Sequence, residues 1–148
     1  LRPGTLPVAL IAGFGEACFM ALRDHEVRRE KVTRIRRDLL HGLERLHPIV
    51  IGADNGTMPN VANCIFPEDL DVATLKSVIF RDIAVSSGSA CNSYSNEASH
   101  VLTAMGLPDD VARRAIRLSW CHLSEQVDWF SLAIRAEKIC RRTLLKVG

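Results

Sequence analysis

A chain of 148 residues with 19 Lys+Arg against 17 Asp+Glu carries a formal net charge of +2, and 47% of its residues are hydrophobic. That composition supplies one domain's worth of buried core and excludes disordered, collagen-like and mucin-like chains, while so small a charge excess selects no partner. The longest apolar stretch, around Leu6 to Phe14, is broken by Pro7 and Gly13 and falls short of the roughly 20 residues of a spanning helix, so no membrane segment is expected.

From Pro7 to Arg23 the residues PVALIAGFGEACFMALR place Pro at a first helical position and apolar side chains on nearly every side. Such a helix needs cover all round, from its own protein or a partner. After Asp24 a second helix is expected, with Val32, Ile35, Leu39, Leu43 and Leu46 in steps of three or four as its apolar stripe. Its other face carries Arg28, Arg29, Lys31, Arg34, Arg36 and Arg37, which reads either as a solvated helix face or as a nucleic-acid contact. With no aromatic residue among these cations, the solvated face is the stronger reading and direct nucleic-acid binding is not expected. Pro48 stops the helix, Ile49 to Ile51 reads as a short strand, and ADNGTMPN is rich in turn residues.

Val61 to Phe66, bounded by Pro59 and Pro67, is a strand by pattern. Asp71 caps a helix with Val72, Leu75, Val78 and Ile79 inward. Ile83 to Val85 is β-branched enough for another strand, and Ser86 to Ser99 (SSGSACNSYSNEAS) reads as a long mobile loop. Two brief helices follow, Val101 to Met105 and one starting at Pro108. Ala115 to Trp120 alternates as a strand, with Arg117 and Ser119 on the face opposite Ile116 and Leu118. A final helix is expected to be capped by Ser124 and to pack Val127, Phe130 and Ile134 inward, with Leu132, Ala136 and Cys140 widening its apolar face. Helices and short strands in this order make an α+β layer, a short, mostly antiparallel sheet with helices on one face.

The five cysteines, Cys18, Cys64, Cys91, Cys121 and Cys140, are odd in number and show neither a CxxC pair nor a zinc-ligand cluster, so no metal site is expected and a reducing cytoplasm fits. Cys18, Cys64 and Cys140 lie in apolar patterns and read as core residues. Cys91 stands in the Ser-rich loop, where a thiol is a soft nucleophile or an incidental surface group. His100, nine residues on, completes a Cys-His pair only if the loop folds back; otherwise it is a surface histidine. Gly4 and Thr5 precede a helix start and suit an anion such as a phosphate. Arg117, polar on an apolar strand, suits a carboxylate or a structural ion pair.

The order RPGTLP, then Pro59-Asn60, then SSGSAC ending at Cys91, then SHVLTAMGL, then AIRLS, resembles the C-terminal portion of NifS/IscS-type cysteine desulfurases, of the class V, fold-type I enzymes that use pyridoxal phosphate (PLP). The resemblance runs through essentially the whole chain. It implies residues 1–148 as the small domain of such an enzyme, with 1–24 packing against the remaining PLP domain or the second subunit of a homodimer. It implies conversion of L-cysteine to L-alanine, with the sulfur carried as a persulfide on Cys91 and handed to an acceptor protein. It implies further that Arg117, with Asn60, binds the substrate and that Thr5 reaches the PLP phosphate of the other subunit. The family's cofactor lysine has no counterpart among Lys31, Lys76, Lys138 and Lys146, so a chain opening on Leu1 is expected to be a portion that does not act alone. Two departures touch loop detail: Cys121-His122 stands where many relatives have Gly-Arg, and Ala98 replaces a proline. The opening RPGTLPVALIAGFGEAC is most similar to desulfurases of the DNA-phosphorothioation (DndA-like) type, with iron-sulfur assembly and tRNA thiolation as alternative destinations. The rival class is a non-catalytic scaffold for dimerisation or docking.

Overall fold

The computed structural model describes residues 4–52, 56–80, 83–86 and 98–144. Its elements are helix α1 (Val8–Leu43), strand β1 (Ile49–Val50), strand β2 (Val61–Ile65), helix α2 (Val72–Phe80), short helices α3 (His100–Ala104) and α4 (Asp109–Arg113), strand β3 (Ala115–Ser119) and helix α5 (Trp129–Leu144). The strands form one antiparallel sheet in the order β1-β2-β3. This is the expected α+β architecture with a short antiparallel sheet, except that helices cover both faces of the sheet rather than one.

Where two helices were expected on either side of Asp24, α1 is one helix of 36 residues, about 54 Å long at 1.5 Å per residue. Nothing at the expected boundary breaks a helix: neither Gly nor Pro is present, and Asp24 bridges it through Arg23 and, at 3.0 Å, the i+4 residue Arg28. The apolar stripe behaves as its spacing demands, with Val32, Leu39 and Leu43 buried and Ile35 packed against the core. A single 3-10 turn, Glu44–Leu46, ends the helix and delivers Leu46 to the interior.

Alternation sorts the sheet into two faces. Ala62, Cys64, Ile116 and Leu118 join α1, α2 and α5 in the main core, with Phe66, Leu75, Ile79 and Trp129. Ile65 and Ala115, on the other face, are covered by a smaller cluster built from Leu102 of α3 and Ala112 of α4. Asp71 caps α2 as its position predicts, accepting the Ala73 N–H at 3.0 Å and the Thr74 hydroxyl.

Three packing expectations are corrected. The final helix starts at Trp129, capped by Asp128 Oδ1 on the Ser131 N–H at 3.0 Å, while the Ser124 hydroxyl is used upstream, accepting the Cys121 N–H at 3.0 Å. Its inner stripe is therefore Trp129, Leu132, Ala133, Ala136 and Cys140. Phe130 and Ile134 are rotated outward and stand 54% and 41% exposed. Cys64 and Cys140 are core residues, but Cys18 is exposed, because the described protein places nothing over that part of α1. Finally, Ile83 to Val85 forms no ladder; only Ser86 makes a bridge, to Arg117.

The contact between α1 and α5 depends on Gly42. A Cβ there would lie 2.4 Å from Trp129 Cβ and 2.9 Å from its carbonyl carbon. Arg45 then ties the two helices at the surface through Glu137 at 3.1 Å.

Candidate active-site face and its relatives

Arg117 sits at the centre of β3, in the exposed half of the alternation set by buried Ile116 and Leu118. Both of its backbone groups are used by Ser86: the Arg117 N–H donates at 2.7 Å and its carbonyl accepts from the Ser86 N–H at 3.0 Å. That leaves the guanidinium projecting from a backbone held on both edges, a rigid mount for binding an anion. Ser86 is also the last described residue before the segment 87–97. The predicted nucleophile, Cys91, lies in that segment, outside the described residues.

The remaining predicted residues are spread out. Asn60 is half-buried in the turn before β2; its carbonyl accepts the Trp120 N–H at 3.0 Å, and its side-chain Oδ1 is buried with no hydrogen-bond partner. Thr5 is exposed ahead of α1, which starts without a side-chain cap. The first buried residue of α1 is Val32, so Thr5 stands about 36 Å or more along the helix axis from the packed core. Among the described residues no hydrogen bond or ion pair joins Thr5 to Arg117 or Asn60. His100 is exposed at the start of α3.

The basic face of α1 is largely committed to structure. Arg36 donates to Val61 O at 2.5 Å and to Thr57 Oγ1 at 3.3 Å, anchoring β2 to α1. Arg28 and Arg37 pair with Asp24 and Asp38. Glu26 and Glu30 stand beside Arg29 and Arg34, so the surface alternates in sign, as a solvated helix face does. On the neighbouring edge of the sheet, the Trp120 indole N–H donates to Val32 O at 2.9 Å.

Two groups escaped the sequence reading. Asn63 of β2 lies directly across from Arg117 in the ladder, and its Oδ1 is buried without a partner. The only sequence signal was a polar residue inside an otherwise apolar strand. The other is Cys121, which is exposed and accepts from the Leu123 N–H at 3.4 Å and the Ser124 hydroxyl at 3.8 Å. These bonds, aided by Lys31, hold its thiol below the usual range. Burial pushes the Cys64 thiol the other way, up to about 11. Among the described residues no group of His, Cys, Asp and Glu is placed to hold a metal ion, and no helix is long and apolar enough to cross a membrane.

No protein-family model matches the chain. Individual relatives do. It is 39% identical over 124 residues to cysteine desulfurase IscS of Shewanella pealeana, covering 80% of this chain and 29% of that protein. To the IscS of an Enterobacter species it is 33% identical over 138 residues, covering 91% and 34%. Among solved structures, a NifS-like protein from Rickettsia africae superposes with a TM-score of 0.67 at 28% identity, over 93% of this chain and 35% of that one. DndA from Streptomyces lividans does so with a TM-score of 0.55 at 33% identity, over 82% and 34%. The chain thus spans about a third of the length of the relatives it matches. Sequence and fold together make this chain a homologue, over most of its length, of the NifS/IscS cysteine desulfurases.

Proposed function

We propose that this chain supplies the C-terminal part of a PLP-dependent cysteine desulfurase, in which Cys91 receives sulfur from L-cysteine and passes it to an acceptor protein. The observation that carries the reading is the placement of Arg117. It is an exposed cation on a strand clamped from both edges, joined through Ser86 to the segment that contains Cys91. In this reading Arg117 takes the substrate carboxylate through its planar fork, worth more than a point charge because two parallel hydrogen bonds form. Asn60 borders the same substrate.

The cofactor's phosphate has fitting donors in this chain. The exposed Thr5 hydroxyl precedes an uncapped helix start, whose free N–H groups and positive dipole end favour an anion. Placed so far from the core of its own chain, Thr5 is suited to the site of a second subunit, in keeping with a homodimer. When bound, PLP supplies the electron sink that labilises the substrate. The Cys91 thiolate then forms an S–S bond to the substrate sulfur as the substrate's C–S bond breaks. The electron pair left on carbon takes a proton, giving L-alanine and a persulfide on Cys91, with no external oxidant or reductant. Of the lysines, the described ones, Lys31, Lys76 and Lys138, lie on helices α1, α2 and α5; in this reading the lysine that anchors the cofactor belongs to the rest of the enzyme. This chain does not act alone.

The test uses the enzyme that joins this chain to its cofactor-binding portion. Cys91→Ser should abolish sulfide release from L-cysteine while leaving the PLP absorbance in place; sulfide release at the parent rate refutes the reading. For the destination of the sulfur, the DndA similarity supports supply of DNA phosphorothioation in a bacterial cytoplasm. Loss of phosphorothioate from cellular DNA on deleting the gene is the expected result, and intact phosphorothioate with failing iron-sulfur enzymes or tRNA thiolation would redirect it.

A further inference from the structure

We propose that Asn63 is a positioning residue for Arg117, its carboxamide oxygen accepting one guanidinium N–H so that the remaining edge of the fork faces the substrate carboxylate. The inference rests on the substrate role of Arg117 proposed above, and three observations about the sheet carry it.

The first is register. Asn63 and Arg117 are direct partners across the β2-β3 ladder, on the same face. Arg117 spends both backbone hydrogen bonds on Ser86, and the Asn63 carbonyl accepts the Ile51 N–H at 2.9 Å from the opposite side. The two residues are therefore a non-hydrogen-bonded pair, the geometry in which opposed Cα atoms approach to about 4.5 Å and side chains lie nearest.

The second is an unmet need. Asn63 is half-buried, and its Oδ1 is fully withdrawn from solvent with no hydrogen-bond partner. Leaving a buried carbonyl-type acceptor unpaired is costly, so such groups are rare and call for a donor that the resting arrangement lacks. The third is supply. Arg117 has five N–H donors in a rigid fork, and no described side-chain hydrogen bond or ion pair engages them. A bidentate carboxylate takes two, leaving others for Oδ1. Among the described residues, the pair's neighbours on this face of the ladder, Val61, Ile65, Ala115 and Ser119, carry no charge.

The decisive experiment is a double-mutant cycle in the PLP-loaded full-length enzyme, with KM and kcat for L-cysteine and urea unfolding measured on each variant. Asn63→Leu, close in shape but without the acceptor, should raise KM roughly tenfold, the fold-change set by one hydrogen bond to a charged group, with kcat changing less than twofold. Its unfolding midpoint should be unchanged or higher, because the orphaned oxygen is gone; a merely structural asparagine would lower the midpoint. In an Arg117→Lys background, where the fork is absent, Asn63→Leu should add little to the KM already raised. Asn63→Ala repeats the cycle should the leucine overpack the strand. If Arg117→Lys raises KM and neither Asn63 variant does, or if the Asn63 effect is equally large in both backgrounds, the positioning role is overturned while the substrate role of Arg117 stands. If Arg117→Lys leaves KM unchanged, both fall.

Discussion

Replacing Gly42 by alanine tests the packing logic of the whole fold, because the usual helix rule and the tertiary contact push in opposite directions. In an isolated helix the substitution gains about 1 kcal/mol from propensity. Here the new methyl would meet Trp129 Cβ at 2.4 Å, the Trp129 carbonyl carbon at 2.9 Å and the Phe130 nitrogen at 3.0 Å. None of these is the free end of a side chain, so relief requires α5 to move away as a body, drawing Trp129, Leu132 and Ala133 off Leu39 and Leu43. Overpacking of this kind costs about 3 kcal/mol, at the upper end of its usual range, which leaves a net loss of about 2 kcal/mol. With a urea slope of about 2 kcal/mol/M, the unfolding midpoint should fall by about 1 M, followed by tryptophan fluorescence. Gly13→Ala is the matched control, on the same helix with nothing within 4 Å of the added carbon, and should hold or raise the midpoint. A Gly42→Ala midpoint at or above the parent value would refute the close approach of α1 and α5.

Two further predictions concern ionisable groups. Hydrogen bonds from Thr74 and Ala73 hold the Asp71 carboxyl below its usual value, so it binds its proton more weakly folded than unfolded; its stabilising contribution is complete above pH ~4, the unfolded value, and is lost as pH falls through the lower folded one. Asp71→Asn, which keeps a capping oxygen, should flatten that acid limb of the stability profile while changing the midpoint at pH 7 little; an unaltered acid limb would remove Asp71 from the account. Among the cysteines, iodoacetamide at pH 7.5 should label exposed Cys121 readily and leave Cys64 unmodified until the chain unfolds, as mass spectrometry of digested fragments would report. Ser124→Ala should slow Cys121, since it removes a hydrogen bond that stabilises the thiolate; equal rates at Cys64 and Cys121 would overturn the assignment of one to the core and the other to the surface.

Local chemistry was legible wherever one residue's neighbours in sequence decide the outcome. Asp71 caps α2 because its carboxylate reaches the N–H two residues on and the hydroxyl three residues on, and Arg117 is exposed because strand alternation leaves it no other side. The misreadings arose where distant contacts decide. Phe130 and Ile134 have helical spacing as good as that of Trp129 and Ala133, and the stripe that docks is the one whose Trp129 meets the glycine notch at Gly42. Cys18 sits in an apolar run that the described fold does not cover. Asp24 marked a boundary by composition, yet its ion pairs with Arg23 and Arg28 hold the helix together across it. Asn63 could not be recognised from its own strand, because its significance comes from the residue opposite, and a register joining positions 63 and 117 is a property of the folded sheet.

The unburied part of α1, from Val8 to Lys31, makes the helix a lever whose fulcrum is the contact of Leu39, Gly42 and Leu43 with α5. An arm of about 51 Å from Gly42 to the start of the helix turns a tilt of 5° at the fulcrum into a displacement of about 4 Å near Thr5, the difference between a formed and a broken hydrogen bond. The aim of a distant hydroxyl is therefore sensitive to the thickness of one missing methyl group at position 42, alongside the hydrogen bonds that hold Val32 and Arg36 to the sheet.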